Sequence, residues 1–212
     1  MQNLDPKRIV ADGYDAIAVE HKAWAGRVRV EERAKYTAVL LAELPAGAEV
    51  LELGCGIGVP TTRRLAERFS VTGVDISARQ IQLARQNVPA ARFIHGDMTD
   101  LHFSPASFDG VAAFYSLIHV PREEQPGLLR DVATWLRPGG FFVATLSVHS
   151  IEASYKKDWL GAPMYWSSFD SATNVRLVEE AGLEIVSAQE ETADEFGQPV
   201  TFLWVAARKP IG

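Results

Sequence analysis

Apolar residues change their period along this chain. Up to about residue 44 they recur every three or four positions. Ile9, Val10, Tyr14, Ile17, His21 and Trp24 fall on one face, the mark of an amphipathic helix. Gly26 interrupts this pattern, a second helical stretch runs to Leu44, and Pro45-Ala46-Gly47 is a turn. From Glu49 onward short apolar runs alternate with helical stretches. Strands are expected at Glu49–Leu53, Val71–Asp75, Arg92–His95, Phe108–Phe114, Phe141–Ser147, Leu183–Ala188 and Val200–Arg208. Helices are expected over 59–69, from Ser77 to about Asn87, over 122–136 and from Asp170 to Ala181. Ser77 and Gln80 have the spacing of a capping box. Gly182 follows the last helix, where a left-handed backbone favours glycine. Alternating strands and helices predict an α/β fold, a doubly wound parallel sheet with helices on both faces. No helix separates the last two strands, so they form a hairpin and one of them runs antiparallel.

Composition narrows the reading. A chain of 212 residues, 47% hydrophobic and 23% charged, is neither disordered nor fibrous. It is read as a single domain over 1–212, with an N-terminal helical part (1–45) before the α/β core (46–212). The formal net charge is −6, and the densest basic spots are the pairs Arg63-Arg64 and Lys156-Lys157. Nucleic acid is therefore not an expected partner. The one cysteine, Cys55, can form no internal disulfide, and no Cys/His cluster has metal-ligand spacing. With no run of ~18 apolar residues and no signal-peptide core at the N-terminus, a cytoplasmic protein without a membrane partner is expected.

In an open parallel sheet, ligands bind beyond the carboxyl ends of the strands. Gly54-Cys55-Gly56-Ile57-Gly58 follows the first strand. Gly54 and Gly56 permit a tight turn and a close backbone approach, and Gly58 allows close packing of the next helix. Asp75 ends the second strand, where a carboxylate can accept hydrogen bonds from both hydroxyls of a ribose. Asp97 follows the third strand and can accept from the amino group of an adenine, with Ile76 and Met98 as apolar walls. Two ligand classes fit this pattern. The dinucleotide fingerprint is G-x-G-x-x-G, whereas the spacing here is G-x-G-x-G with Val59 after it. No Gly-Lys-Ser/Thr triplet offers a triphosphate grip. An S-adenosyl ligand carries no phosphate and tolerates the shorter loop.

VLELGCGIGVP (50–60), VTGVDIS (71–77), IHGDMTD (94–100), FDGVAAFYSLIHV (108–120) and LRPGG (136–140) stand in this order along the chain. As an ordered set they resemble the class I S-adenosylmethionine-dependent methyltransferases, most closely the small-molecule branch of quinone-biosynthesis and natural-product enzymes. The resemblance implies a Rossmann-like seven-stranded sheet of order 3-2-1-4-5-7-6, mostly parallel with an antiparallel last strand, and N-terminal helices forming a lid. It implies S-adenosylmethionine as cofactor and S-adenosylhomocysteine as product. Gly54 and Gly56 would pass under the methionine part, Glu52 would help hold its ammonium, and Phe114 and Tyr115 would bound that end. Asp75 would take the ribose, and Asp97 and Met98 the adenine. Tyr14 would close over the cofactor carboxylate. Where relatives carry two histidines in the fourth motif, this chain has Ile118 and His119.

Methyl transfer from a sulfonium needs chiefly a nucleophile held on the axis of the breaking bond. A base helps an acceptor that is protonated in the ground state. The candidates are His119, after the fourth strand, and His149, after the fifth. If His119 is the base, the rate is expected to fall at low pH near the reference imidazole value of ~6.5. Proximity, with His119 orienting the acceptor, is the preferred mechanism. Trp159, Met164, Tyr165 and Trp166 lie in an aromatic stretch between the fifth strand and the next helix. With His149 they are the expected wall of the acceptor site. Ala112-Ala113-Phe114-Tyr115 replaces the Asn/Asp-Pro-Pro motif of enzymes that methylate planar amides and bases. A small molecule with an O-, C- or N-nucleophile is therefore the expected acceptor. A nucleotide-cofactor oxidoreductase and a non-catalytic S-adenosylmethionine-binding protein are the alternatives.

Overall fold

The computed structural model describes residues 5–18, 29–195 and 197–211. The positions His21, Trp24 and Gly26 lie outside these residues. Helices α1 (Pro6–Ala16) and α2 (Val30–Glu43) precede the sheet. The core then runs β1 (Glu49–Leu53), α3 (Thr61–Ala66), β2 (Ser70–Asp75), α4 (Ala78–Asn87), β3 (Arg92–His95) and β4 (Phe108–Ala113). It continues through α5 (Gln125–Trp135), β5 (Leu136–Ser147), β6 (Ile151–Trp159), β7 (Ala162–Ser168), α6 (Ser171–Glu180), β8 (Glu184–Asp194) and β9 (Pro199–Arg208).

Seven strands form one sheet in the order β3-β2-β1-β4-β5-β9-β8. β1 pairs in parallel with β2 and with β4, while β9 runs antiparallel between β5 and β8. This is the 3-2-1-4-5-7-6 order once the separate β6–β7 ribbon is set aside. The chain reverses direction across the sheet between β1 and β4, which opens a crevice at their carboxyl ends.

Strand alternation sends successive side chains to opposite faces. Leu51 and Leu53 join Val111, Phe142 and Val205 under Leu128, Leu129 and Val132 of α5 and Val178 of α6. Val50, Ala112, Val143 and Trp204 face the other way, onto Tyr36 and Leu40 of α2, Leu44 just after it and Leu65 of α3. Glu52 shares the parity of Val50 and therefore points toward the α2 side.

Two segments depart from the expected pattern. Arg137-Pro138-Gly139-Gly140, between the expected helix over 122–136 and the expected strand from Phe141, lies inside β5. The pairing of β4 with β5 slips between Phe108 and Gly110, so the extra residues bulge out without ending the strand. A Cβ on Gly140 would come within 2.8 Å of the Asp109 carbonyl oxygen, a contact only glycine avoids. The second departure is the β6–β7 hairpin, which stands where the sequence suggested an aromatic stretch with no strands. Its two-residue loop, Leu160-Gly161, has φ of 54° and 98°. Paired primed-turn angles of this kind match the twist of a hairpin. Leu160 hides the signal, because asparagine or aspartate is the usual first residue of such a turn.

Candidate functional site

A cavity opens at the carboxyl ends of β1, β2 and β4 and is closed above by α1. Its wall includes Tyr14, Glu52, Gly54, Gly56, Asp75, Ile76, Asp97, Met98, Phe114, Tyr115 and His119. The fold thus brings together every residue expected to hold a cofactor, with the candidate base.

The floor is set by backbone geometry. Gly54 and Gly56 have φ of 76° and 55°, in the left-handed region that favours glycine. A Cβ on Gly54 would lie 2.3 Å from the Ser116 Cβ, so the loops after β1 and β4 touch at this glycine. Ser116 Oγ donates to the Leu53 carbonyl at 2.7 Å and ties the two strand ends together.

Asp75 is held from below. Its two carboxylate oxygens accept from the Gly56 N–H at 2.8 Å and the Ser77 N–H at 2.9 Å. Each oxygen keeps further acceptor capacity for a ligand. Burial pushes the Asp75 pKa up to about 6, against the opposing pull of the Ser77 and Gly56 N–H bonds. The capping box is only half formed: Ser77 Oγ accepts from the Gln80 N–H at 3.0 Å, but Ser77 gives its own N–H to Asp75. The Gln80 side chain instead lines the cavity, 1% exposed, with neither amide atom hydrogen-bonded. A buried primary amide without partners is costly. Its place beside Asp75 suits a ligand with several hydroxyls.

Glu52 accepts from Thr62 Oγ1 at 2.5 Å, and burial pushes its pKa up to about 8. Arg33 of α2 lines the same end, with its guanidinium 5.2 Å from the Tyr115 ring centroid. Burial lowers the Arg33 pKa, while Tyr115 and Glu52 oppose that shift. An acid and a guanidinium at one end suit a zwitterionic amino-acid group. The sequence reading missed Arg33, because one arginine in an amphipathic helix reads as a solvated face. Tyr115, next to it, has φ of 59°, which turns the chain sharply after β4.

At the other end, Asp97 Oδ1 accepts from the Thr99 N–H at 2.9 Å, and Oδ2 meets Lys7 Nζ at 2.8 Å. Lys7 also pairs with Glu124 at 2.6 Å. Lys7 was missed as well, since nothing local marks a lysine whose partners, Asp97 and Glu124, stand so far along the chain. Asp15 accepts from Ser77 Oγ at 2.5 Å and the Arg79 N–H at 2.9 Å. A Cβ on Gly13 would sit 2.5 Å from the Pro163 carbonyl oxygen, so α1 rests directly on β7.

Tyr14 and His119 differ from expectation. Tyr14 is hydrogen-bonded through its hydroxyl to His119 Nε2 at 2.8 Å. His119 Nδ1 lies 2.7 Å from the Tyr165 carbonyl oxygen. Burial pulls the His119 pKa down to about 4, opposed by that carbonyl. A titration limb near 6.5 does not fit this environment. Burial raises the Tyr14 pKa, with Asp75 adding to the effect.

The expected acceptor wall is not brought to the cavity. None of Trp159, Met164, Tyr165, Trp166 and His149 lines it. Met164 and Tyr165 are buried against Val10 and Ile17 of α1. The rings of Trp159 and Trp166 lie 5.9 Å from Tyr14 and 5.6 Å from His119 respectively, so they support those two residues from outside the cavity. His149 lies in an exposed turn, its N–H given to Ser147 Oγ. Met164 and Tyr165 are thus taken up in the core beneath α1, and Trp159 and Trp166 pack against that same cluster. Among the described residues no cluster of His, Cys, Asp and Glu suits a metal ion.

Residues 50–140 match the family model described as methyltransferase domain. This stretch runs from β1 into β5 and holds the strand ends that build the cavity floor. Residues 50–140 are a methyltransferase domain. It is 34% identical over 152 residues to 27-O-demethylrifamycin SV methyltransferase of Amycolatopsis mediterranei, covering 62% of this chain and 55% of that protein. It is 36% identical over 112 residues to 2-phytyl-1,4-naphtoquinone methyltransferase of Thermosynechococcus vestitus, covering 50% of this chain and 49% of that protein. The chain thus spans about half the length of these curated relatives. Magnesium protoporphyrin IX methyltransferase from Synechocystis, solved with bound S-adenosylhomocysteine, shares the fold of the methyltransferase domain. Its TM-score is 0.75 at 17% identity, covering 97% of this chain and all of that one.

Proposed function

We propose that the chain transfers a methyl group from S-adenosylmethionine to a small-molecule acceptor. The observation that carries this reading is the pairing of two ends in one cavity. At one end Asp75, locked by two backbone N–H groups beside the unpartnered Gln80 amide, fits a ribose. At the other, Glu52 and Arg33 fit an α-amino acid. A dinucleotide has no amino-acid group to use that second end. In this assignment Asp97 accepts from the adenine amino group, Ile76 and Met98 flank the ring, and Gly54 and Gly56 let the backbone approach. Arg33, rather than Tyr14, takes the carboxylate. When bound, the group supplies an electrophilic methyl on a cationic sulfur.

The rest of the reading is coarser. The chain is a single domain, with the N-terminal part over 1–45 as a lid and the core over 46–212. Among the described residues no helix is long and apolar enough to cross a membrane. The formal net charge of −6 favours an enzyme without a nucleic-acid partner, and cytoplasmic is the compartment we read for it. The names of the relatives, a rifamycin and a naphtoquinone methyltransferase, favour a hydroxylated or quinonoid small molecule. The test is release of S-adenosylhomocysteine on incubation with S-adenosylmethionine and a panel of phenols, quinones and amines. Acceptor-dependent release supports the proposal. Binding without release for every class leaves the non-catalytic reading in its place.

A further inference from the structure

The bond between Tyr14 and His119 has a defined direction. A carbonyl oxygen only accepts, so His119 Nδ1 carries the proton that bonds Tyr165 O at 2.7 Å. A neutral imidazole then has its lone pair on Nε2, and the Tyr14 hydroxyl donates to it at 2.8 Å. Both residues line the cavity. Their rings are edge-to-face, with centroids 5.3 Å apart. His119 is reached from β4, on the far side of β1 from the Asp75 and Asp97 ends of β2 and β3. His119 therefore comes from the side opposite the proposed adenosine end, while Tyr14 reaches it from α1, close enough to Asp75 to feel its charge. The residues that β4 itself brings to this wall are Phe114, Tyr115, Ser116, His119 and Val120. They include no carboxylate to attract an ammonium acceptor.

Resting on the methyltransferase reading, we propose that Tyr14 and His119 form a proton-accepting pair for a hydroxyl acceptor. The acceptor O–H donates to the Tyr14 oxygen. As the acceptor oxygen bonds to the methyl carbon, the carbon–sulfur bond breaks and its electron pair stays on sulfur. The acceptor proton passes to Tyr14 Oη while the Tyr14 proton passes to His119 Nε2. The products are a methyl ether, a neutral thioether and a His119 imidazolium, which later releases its proton to solvent.

Two physical points make a buried imidazole sufficient. Burying a lone charge is costly, but here the cavity loses one positive charge on sulfur as it gains one on His119. The pair also need not ionise the free hydroxyl. An oxygen that has gained a methyl while keeping its proton is a far stronger acid than an imidazolium. Even an imidazole held near 4 by burial takes the proton from it.

The test uses the full chain, Tyr14→Phe, His119→Asn and the double variant, with mono- and dihydroxynaphthalenes as probes. S-adenosylhomocysteine affinity, measured by calorimetry, is expected to change by less than ~3-fold in each variant, about 0.65 kcal/mol. Single-turnover methylation is expected to fall by ~10²-fold or more in either single variant. The double variant should lose no more than the worse single one, because the two residues act as a unit. Raising the pH past ~10, the usual phenol pKa, should restore at least tenfold of the loss. A merely structural role would show no such rescue. Independently of turnover, ¹⁵N-histidine NMR should show His119 protonated on Nδ1, with an Nε2 resonance that moves in Tyr14→Phe. Losses below tenfold, additive losses, or wild type that binds S-adenosylhomocysteine yet methylates no hydroxynaphthalene would overturn the pair. A wild type that binds no S-adenosylhomocysteine would instead overturn the cofactor reading beneath it.

Discussion

Removing Asp75 tests how the cavity holds a ribose. Its oxygens are fixed by the Gly56 and Ser77 N–H groups at 2.8 and 2.9 Å, so no rotamer search opposes binding. Two charge-assisted bonds to ribose hydroxyls would contribute roughly 1.5–3 kcal/mol each. Asp75→Ala leaves two N–H groups that water can reach through the cavity, which offsets part of the loss. A net cost of about 2–4 kcal/mol corresponds to ~30- to 1000-fold in the dissociation constant of S-adenosylhomocysteine. The pH dependence gives a second readout. With a pKa of about 6, Asp75 is almost wholly ionised at pH 8 and about one-eleventh ionised at pH 5. Ionising it for binding at pH 5 therefore costs about 1.4 kcal/mol, about tenfold in affinity. Glu52 titrates in the same range, so the ligand for this experiment is 5′-deoxy-5′-methylthioadenosine, which has ribose and adenine but no amino-acid end. Calorimetry should show its affinity falling about tenfold from pH 8 to pH 5 in wild type. A folded Asp75→Ala chain that binds S-adenosylhomocysteine within ~3-fold of wild type would refute the ribose assignment. A wild-type affinity for the methylthioadenosine that stays flat from pH 8 to pH 5 would instead place the Asp75 titration outside that range.

Three further outcomes are expected. Gly54→Ala forces a Cβ to 2.3 Å from the Ser116 Cβ at a φ of 76°, and should cost ~2–4 kcal/mol in urea unfolding. Gly47→Ala, with a similar φ but open space around it, should cost only ~1–2 kcal/mol. Lys7→Ala removes the pairing of α1 with Asp97 and Glu124, so amide exchange over 8–16 should quicken; unchanged exchange would show that Tyr14, Asp15 and Gly13 hold the helix alone. Glu52 has a folded pKa raised above its unfolded value. The folded state therefore binds that proton more tightly, and the stabilisation is complete below ~4.5 and lost as pH rises through about 8. Wild-type stability should decline over that window, and Glu52→Gln should flatten the decline; an equal slope in both would place the titration elsewhere.

The strand ends were legible in the sequence because their chemistry is local. Gly54, Gly56, Asp75 and Asp97 each sit within three residues of a strand terminus, and the parallel sheet gathers such termini at one edge. Arg33, Lys7 and Gln80 were not legible, since each reaches the cavity from a helix and only packing selects its direction. Gln80 shows the difficulty well. Its capping spacing was read correctly for Ser77, but the amide turned to the cavity once Asp75 had taken the Ser77 N–H. The hairpin failed for another reason. The outward strand β6 is largely polar and exposed, so it carries no alternation to read, and Leu160 stands where a turn former was expected. The aromatic stretch by itself suggests an acceptor wall, whereas Met164 and Tyr165 lie in the core beneath α1.

One titration tests the central claim most directly: S-adenosylhomocysteine and NAD, each added to wild type in the calorimeter at pH 7.5. The two-ended cavity predicts a single S-adenosylhomocysteine site with a dissociation constant of ~1–100 μM, about −8 to −5.5 kcal/mol, and no measurable NAD binding. NAD bound more tightly than S-adenosylhomocysteine, or no heat from S-adenosylhomocysteine at all, would contradict it.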